Sequence, residues 1–241
     1  RFVDVLEDSA AFSATWATAL SSGPADESGQ NLTFNISNDN NALFTVQPTL
    51  NNTGNLSFTA AANASGSANV TVSLMDDGGV ANGGSDTSAN QVFLITINEV
   101  NDEPSFTVGT DQNVNENSGS YNIANWASNI LAGPPSEAGQ TLTFNITSND
   151  NSGLFSAGPA VAADGTLSYT LAADQFGTAN IALELMDNGG TANSGDDTSP
   201  TQSFIIVVNE ANTPPTVTAP GPFNVNANIG IDVTDGADDL L

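Results

Sequence analysis

Short runs of alternating apolar and polar residues recur along the chain. They include "NLTFNI" from Asn31, "GNLSFTA" from Gly54, "NVTVSLM" from Asn69 and "QVFLITI" from Gln91. "TLTFNI" from Thr141 and "GTLSYTL" from Gly165 repeat the pattern further on. A period of two places every second side chain on one face, which predicts half-buried β-strands. Clusters such as "NDNN", "NNTGN" and "AADGT" separate the runs and supply turn residues. The inward positions are Phe34, Leu56, Phe58, Val70, Val72, Phe93, Ile95 and Ile97, then Phe144, Leu167, Tyr169, Ile181, Leu183, Phe204, Ile206 and Val208. Two such faces closing on each other predict an all-β chain of tandem Greek-key, immunoglobulin-like β-sandwiches with about seven strands each. Trp16 and Trp126 occupy matching places and read as core aromatics.

The sequence is also periodic on a longer scale. "ADESGQNLTFNIS" from Ala25 returns as "PSEAGQTLTFNIT" from Pro135, and "LMDDGGVANGGSDTS" from Leu74 as "LMDNGGTANSGDDTS" from Leu185. "INEVNDEP" from Ile97 returns as "VNEANTPP" from Val208. A period of about 110 residues is too long for a solenoid unit and denotes whole domains in tandem. The expected boundaries are 1–103, 104–213 and the start of a third copy at 214–241, in a chain that reads as a piece of something longer.

Charge narrows the partners. Among 241 residues there are 27 acidic ones, one basic one, Arg1, and no His, for a formal charge of −26. Nucleic acid and anionic membrane surfaces are poor partners on this balance, and cations are favoured. Charged residues make up only 12% of the chain, so its surface must be largely Asn, Ser, Thr and Gly. With no Cys, disulfides are excluded, and with no Lys so are Lys–Asn isopeptide bonds. No apolar run approaches the roughly 18 residues of a membrane-spanning helix.

The acids gather at the copy boundary. Glu99, Asn101 and Asp102 lie within four residues where one strand run gives way to the next. Calcium takes six to eight oxygen ligands from carboxylates, Asn side chains and backbone carbonyls, so this linker offers suitable donors.

The same junction, Glu99, Asn101, Asp102, Pro104 and Phe106, resembles the acidic-x-Asn-Asp-x-Pro-x-Phe linker of cadherin repeats. The form is similar to that of bacterial cadherin-like tandem repeats in large RTX-type extracellular adhesins, and the resemblance covers both full copies. It implies Ca2+ as ligand and a set of metal-binding positions. Glu7 in "LEDSA" and Glu116 in "NENSG" match an early glutamate ligand; Asp76 and Asp187 match an aspartate beside the penultimate strand. Glu27 and Glu137 fall where the family carries an Asp-x-Asp pair, and Asp235 and Asp238 in "DVTDGADD" resemble that pair in the third copy. Glu210 and Asn212 repeat the linker but are followed by Thr213, so the counterpart of Asp102 is lost. The acidic cluster expected before the penultimate strand is missing from "AANASGSA", and "AADQFGTA" keeps only Asp174. One or two ions are therefore expected at the first junction and fewer at the second.

A further acidic set, Asp76, Asp77 and Asp86 with Asp187, Asp196 and Asp197, brackets Gly-rich loops whose spacing fits no EF-hand. Gly78, Gly79, Gly83 and Gly84 are expected to serve positive-φ turns. Without His or Cys, Ser-His-Asp and Cys-His catalysis and the usual zinc sites are excluded, and the chain reads as no enzyme. The resemblance implies an extracellular or cell-surface, secreted bacterial protein, used as a calcium-rigidified spacer for cell adhesion. Its partners would be calcium and neighbouring copies of itself (homophilic adhesion), another surface protein or a polysaccharide. The alternative is a carbohydrate- or protein-binding module of the same extracellular protein.

Overall fold

The computed structural model describes residues 2–212 and 214–217. The chain up to Glu210 forms one compact unit, and a second begins at Ala211.

The alternating runs form strands as the patterning requires. The first copy contains β1 (Phe2–Leu6), β2 (Phe12–Thr15), β3 (Thr33–Asn38), β4 (Phe44–Leu50), β5 (Asn55–Ala60), β6 (Gly66–Met75) and β7 (Gln91–Asn98). They make a four-stranded sheet, β1-β7-β6-β3, and a three-stranded sheet, β2-β5-β4. Leu56 and Phe58 from one sheet meet Val70, Val72, Phe93, Ile95 and Ile97 from the other in a single buried cluster. β1 and β7 run parallel, from Phe2 beside Leu94 to Leu6 beside Asn98.

The second copy contains β8 (Ser105–Thr107), β9 (Gln112–Asn115), β10 (Ser120–Ile123), β11 (Ser128–Leu131), β12 (Thr143–Asn149), β13 (Phe155–Val161), β14 (Leu167–Leu171), β15 (Gly177–Met186) and β16 (Gln202–Asn209). Its sheets are β9-β16-β15-β12, with β9 and β16 again parallel, and β10-β14-β13, plus a two-stranded pair, β8-β11. In β15 the inward set Ala179, Ile181, Leu183 and Leu185 is wholly buried. Pro48 and Pro159 lie in β4 and β13, where the register slips; both are edge strands, which tolerate a missing N–H donor.

All sixteen predicted core residues are buried except Phe34, which is half-buried. Its counterpart Phe144 is covered by the ring of Phe106, edge-on at 5.0 Å between centroids. No described residue of the first copy plays the part of Phe106. Trp126 is buried against Phe204, while Trp16 is half-buried against Phe93. Among the described residues, no helix is long and apolar enough to cross a membrane.

Candidate metal centre at the junction of the two copies

Five of the predicted ligands converge where β7 leads into β8. Glu7, just past β1, is 3% exposed, and its Oε1 accepts the backbone N–H of Val100 at 2.8 Å. Glu137 is also 3% exposed and closes a short 3-10 turn, Pro135–Glu137, after Pro134. The fixed φ of the two prolines holds that turn, and Glu137 Oε1 accepts the N–H of Asp102 at 3.1 Å. Asp187 follows β15 and is buried; its Oδ1 accepts the N–H of Gly189 at 2.8 Å and the Asn101 amide at 3.0 Å.

Asn101 is the anchor of the linker. Its Nδ2 also donates to the Asp196 carbonyl at 2.6 Å, its own carbonyl accepts the Asp196 N–H at 2.9 Å, and its Oδ1 accepts from Gln140 Nε2 at 2.7 Å. Two glycines make room: a Cβ at Gly133 would collide with the Glu137 carboxylate, and one at Gly189 with the Asn101 and Gln140 amides.

Glu7, Glu137 and Asp187 each use one oxygen and leave the other without a partner. Glu7 Oε2, Asp102 Oδ2, Glu137 Oε2 and Asp187 Oδ2 are buried with no hydrogen bond, as is Gln140 Oε1. Such groups are costly in a protein interior. Burial pushes the Glu7, Asp102 and Glu137 carboxyl groups up, and their neighbours push further: Asp8, Asp102 and Glu99 on Glu7, Asp8, Glu103 and Glu99 on Asp102, and Asp102, Asp187 and Glu99 on Glu137. Hydrogen bonds from Val100 and Asp102 pull Glu7 and Glu137 back only in part.

The donor set fits a hard cation, since every orphaned atom is an oxygen and most carry charge. The fit is one of ligand type rather than of a closed cage. Among the described residues, no three acidic side chains stand close enough together, as placed, to form a metal-holding group by themselves.

Sequence reasoning missed two contributors. Asp8, exposed beside Glu7, acts on both Glu7 and Asp102, and Gln140 grips Asn101. The signals were the second acid of "LEDSA" and the Gln shared by "SGQN" and "AGQT".

The other predicted ligands lie elsewhere. Glu27 and Asp76 sit half-buried in the first copy at the places corresponding to Glu137 and Asp187. Glu116 is buried at the start of the second copy, its N–H on the Asn209 carbonyl at 2.9 Å, while Glu210 and Asn212 are each exposed. Thr213, Asp235 and Asp238 fall outside the described residues. In the Gly-rich loops, both oxygens of Asp77 are occupied by Asn31, and Asp86 and Asp197 each accept a neighbouring Thr hydroxyl. Gly79 and Gly83 have positive φ, as expected. Gly78 and Gly84 do not; Gly78 is instead crowded by Gln30, as Gly189 is by Gln140.

No protein-family model matches the chain, and no curated protein matches it either. Solved structures do. A crystal structure of human protocadherin-24 EC1-2 matches with a TM-score of 0.50 at 18% identity, over 88% of this chain and 94% of that one. A second crystal form of the same fragment matches with a TM-score of 0.50 at 19% identity, over 86% and 94%. At this identity the likeness speaks for architecture, and the chain has a cadherin-like fold.

Proposed function

We propose that the chain is a calcium-rigidified extracellular spacer and adhesion module, built from tandem cadherin-like repeats at 1–103, 104–213 and 214 onward, in a large bacterial surface or secreted protein. One observation carries this reading: around the junction four carboxylates, Glu7, Asp102, Glu137 and Asp187, each keep a buried oxygen without a hydrogen-bond partner. No basic side chain other than Arg1 exists in the sequence to neutralise them. Glu7, Asp102, Glu137 and Asp187 would hold the cation, with Glu99 and Asn101 beside them. Glu27 and Asp76 would serve a junction at the other end of the first repeat, and Glu116, Glu210, Asn212, Asp235 and Asp238 the next junction along. Bound calcium supplies the positive charge that these carboxylates lack. They belong to both repeats and to the linker, so neutralising them draws the two repeats together, whereas bare they repel. The module works mechanically and not as a catalyst.

The test is a calcium titration of the chain by calorimetry, paired with melting in calcium and in chelator at constant ionic strength. Extracellular modules bind at about 10⁻⁴–10⁻³ M. A ligand at about ten times its dissociation constant adds roughly 1.4 kcal/mol, so the melting temperature should rise in millimolar calcium. Identical curves in calcium and chelator would overturn the reading.

A further inference from the structure

The chain has two tyrosines, Tyr121 and Tyr169, and they are stacked on each other. They are register partners on β10 and β14, so both side chains leave the sheet on the same face. The rings lie 4.9 Å apart between centroids and 19° from parallel, and the ring of Phe155 meets Tyr169 edge-on at 5.9 Å. The first copy builds the same arrangement from Phe alone. Phe12 and Phe58 are register partners on β2 and β5, 4.8 Å apart and 21° from parallel, and Phe44 meets Phe58 edge-on at 5.5 Å. The fold therefore needs only the rings, and the hydroxyls are what the second copy adds.

One of those hydroxyls is added at a cost. Tyr169 is 2% exposed and its hydroxyl is buried without a hydrogen bond, whereas a buried phenol ordinarily finds a partner. Burial and then the neighbouring Tyr121 push this hydroxyl up to about 12, so it stays protonated. Tyr121 is half-buried, and its hydroxyl donates to Ser118 Oγ at 2.7 Å on the exposed side of the pair. A phenol does one thing that a plain phenyl ring does not: it gives up an electron and a proton to become a phenoxyl radical.

We propose that Tyr121 and Tyr169 form a site of oxidative cross-linking, joined ring to ring as dityrosine by a peroxidase supplied with hydrogen peroxide. The peroxidase takes an electron from Tyr121, whose proton leaves to solvent past Ser118. The Tyr121 oxygen radical then takes the hydrogen atom of the Tyr169 hydroxyl, which moves the radical inward, and Tyr121 is oxidised a second time. The two radicals, held face to face, form a carbon–carbon bond between ortho carbons through the π lobes that point across the gap. Each of those carbons then loses its proton while its phenol oxygen gains one, and both rings are aromatic again. The chain has given up two electrons and two protons, and one hydrogen peroxide has become two waters. Phe12 and Phe58 cannot follow this course, so the link is confined to the second copy. In a sequence with no Cys and no Lys, it supplies the covalent tie that disulfides and isopeptide bonds cannot, holding β10 to β14. No cation and no junction residue takes part.

The test treats the full chain with a haem peroxidase and hydrogen peroxide. The monomer should lose the mass of two hydrogen atoms, gain dityrosine fluorescence and yield on proteolysis a linked peptide pair containing residues 121 and 169. Tyr121→Phe and Tyr169→Phe should each abolish all three signals. Both variants should keep the parent's circular dichroism, because the first copy already folds around the corresponding Phe pair. In single-molecule stretching the oxidised second copy should release less chain than the first, since the residues between 121 and 169 are withheld. A monomer of unchanged mass and fluorescence, under conditions that couple free tyrosine, would overturn the proposal. Dityrosine found only between chains would do so too. So would an equal yield of the intrachain link from chain unfolded in urea and treated with a one-electron photo-oxidant, because the stack would then not direct the coupling.

Discussion

The backbone N–H of Asp102 donates to Oε1 of Glu137 at 3.1 Å, while the second oxygen of each carboxylate is buried and unmatched. The linker of one copy and a loop of the next are thus joined by a hydrogen bond and opposed by their charges. Which of the two wins depends on what neutralises the carboxylates, and that makes the junction testable one residue at a time.

Glu137→Gln retains an oxygen to accept from Asp102 and removes one charge. In chelator the variant should be more stable than the parent, by about 1 kcal/mol, the worth of relieving a buried like-charge contact. In calcium it should have lost most of the cation's stabilising effect. Melting in the two buffers checks both halves, and a variant with the parent's full calcium response would remove Glu137 from the ligand set.

Acidity should act on the bare junction in the same sense. The folded carboxyl groups of Glu7 and Glu137 titrate above their ordinary 4.5, and that of Asp102 above its ordinary 3.8. Between the ordinary and the raised values the folded chain holds more protons than the unfolded one, so stability falls as pH rises through that window. Asp39, Asp77 and Asp150, held low by Asn69, Asn31 and Asn180, and Asp164, held low by the Thr166 N–H, act oppositely and only below about their ordinary 3.8. Chemical denaturation in chelator should therefore find more stability near pH 5 than at pH 7. Calcium should flatten or reverse that slope, and a chelator profile that rises steadily to neutrality would contradict the assignment.

The core was legible because burial in a sandwich follows a rule that sequence displays: Phe93, Ile95 and Ile97 alternate with polar neighbours and all point inward. Phe34 obeys the same rule and is still half-buried, since the cover that Phe106 gives Phe144 has no counterpart among the described residues of the first copy. The junction was legible in its acids, which are conspicuous in a chain almost free of bases. It was not legible in Gln140 or Gly189, whose parts depend on which side chain arrives from across the boundary. Asp77 shows the converse: it belongs to the acidic set that brackets a Gly-rich loop, yet Asn31 occupies both of its oxygens.

Two glycine substitutions separate crowding from backbone freedom. Gly189→Ala places a Cβ against the Asn101 and Gln140 amides, and overpacking of this kind costs about 1–3 kcal/mol. Gly139→Ala, fifty residues earlier by the sequence, meets nothing within 4 Å and should be neutral or slightly stabilising. Only the first should also weaken calcium binding in calorimetry, because it displaces Asn101. Equal effects of the two would show that the linker seat is not tightly fitted.

Asp77→Ala provides the matching control among the acids. It removes two hydrogen bonds from Asn31 at an exposed site and should lower the melting temperature only slightly. It should leave calcium affinity unchanged, whereas Asp102→Ala should lower it. Comparable losses of affinity in both variants would mean that calcium responds to net charge and not to the junction.

Scattering should separate rigidity from folding. In calcium the distribution of distances between the two copies should narrow, while the β signal in circular dichroism stays constant. The same distribution with and without calcium would leave the junction an ordinary acidic hinge.

The parallel pairing of β1 with β7 has a bearing on how the chain carries load. Tension applied to the two ends of the first copy pulls β1 back toward Phe2 and β7 forward toward Asn98. Because the strands run the same way, the pull slides them past each other and strains all five register pairs, Phe2–Leu94 through Leu6–Asn98, at once. Antiparallel terminal strands would instead open like a zipper, one rung after another. β9 and β16 repeat the device in the second copy over four pairs. Resistance to pulling is thus set by where the first and last strands of each copy lie, and stretching single molecules should show two separate, abrupt yielding events, one for each copy.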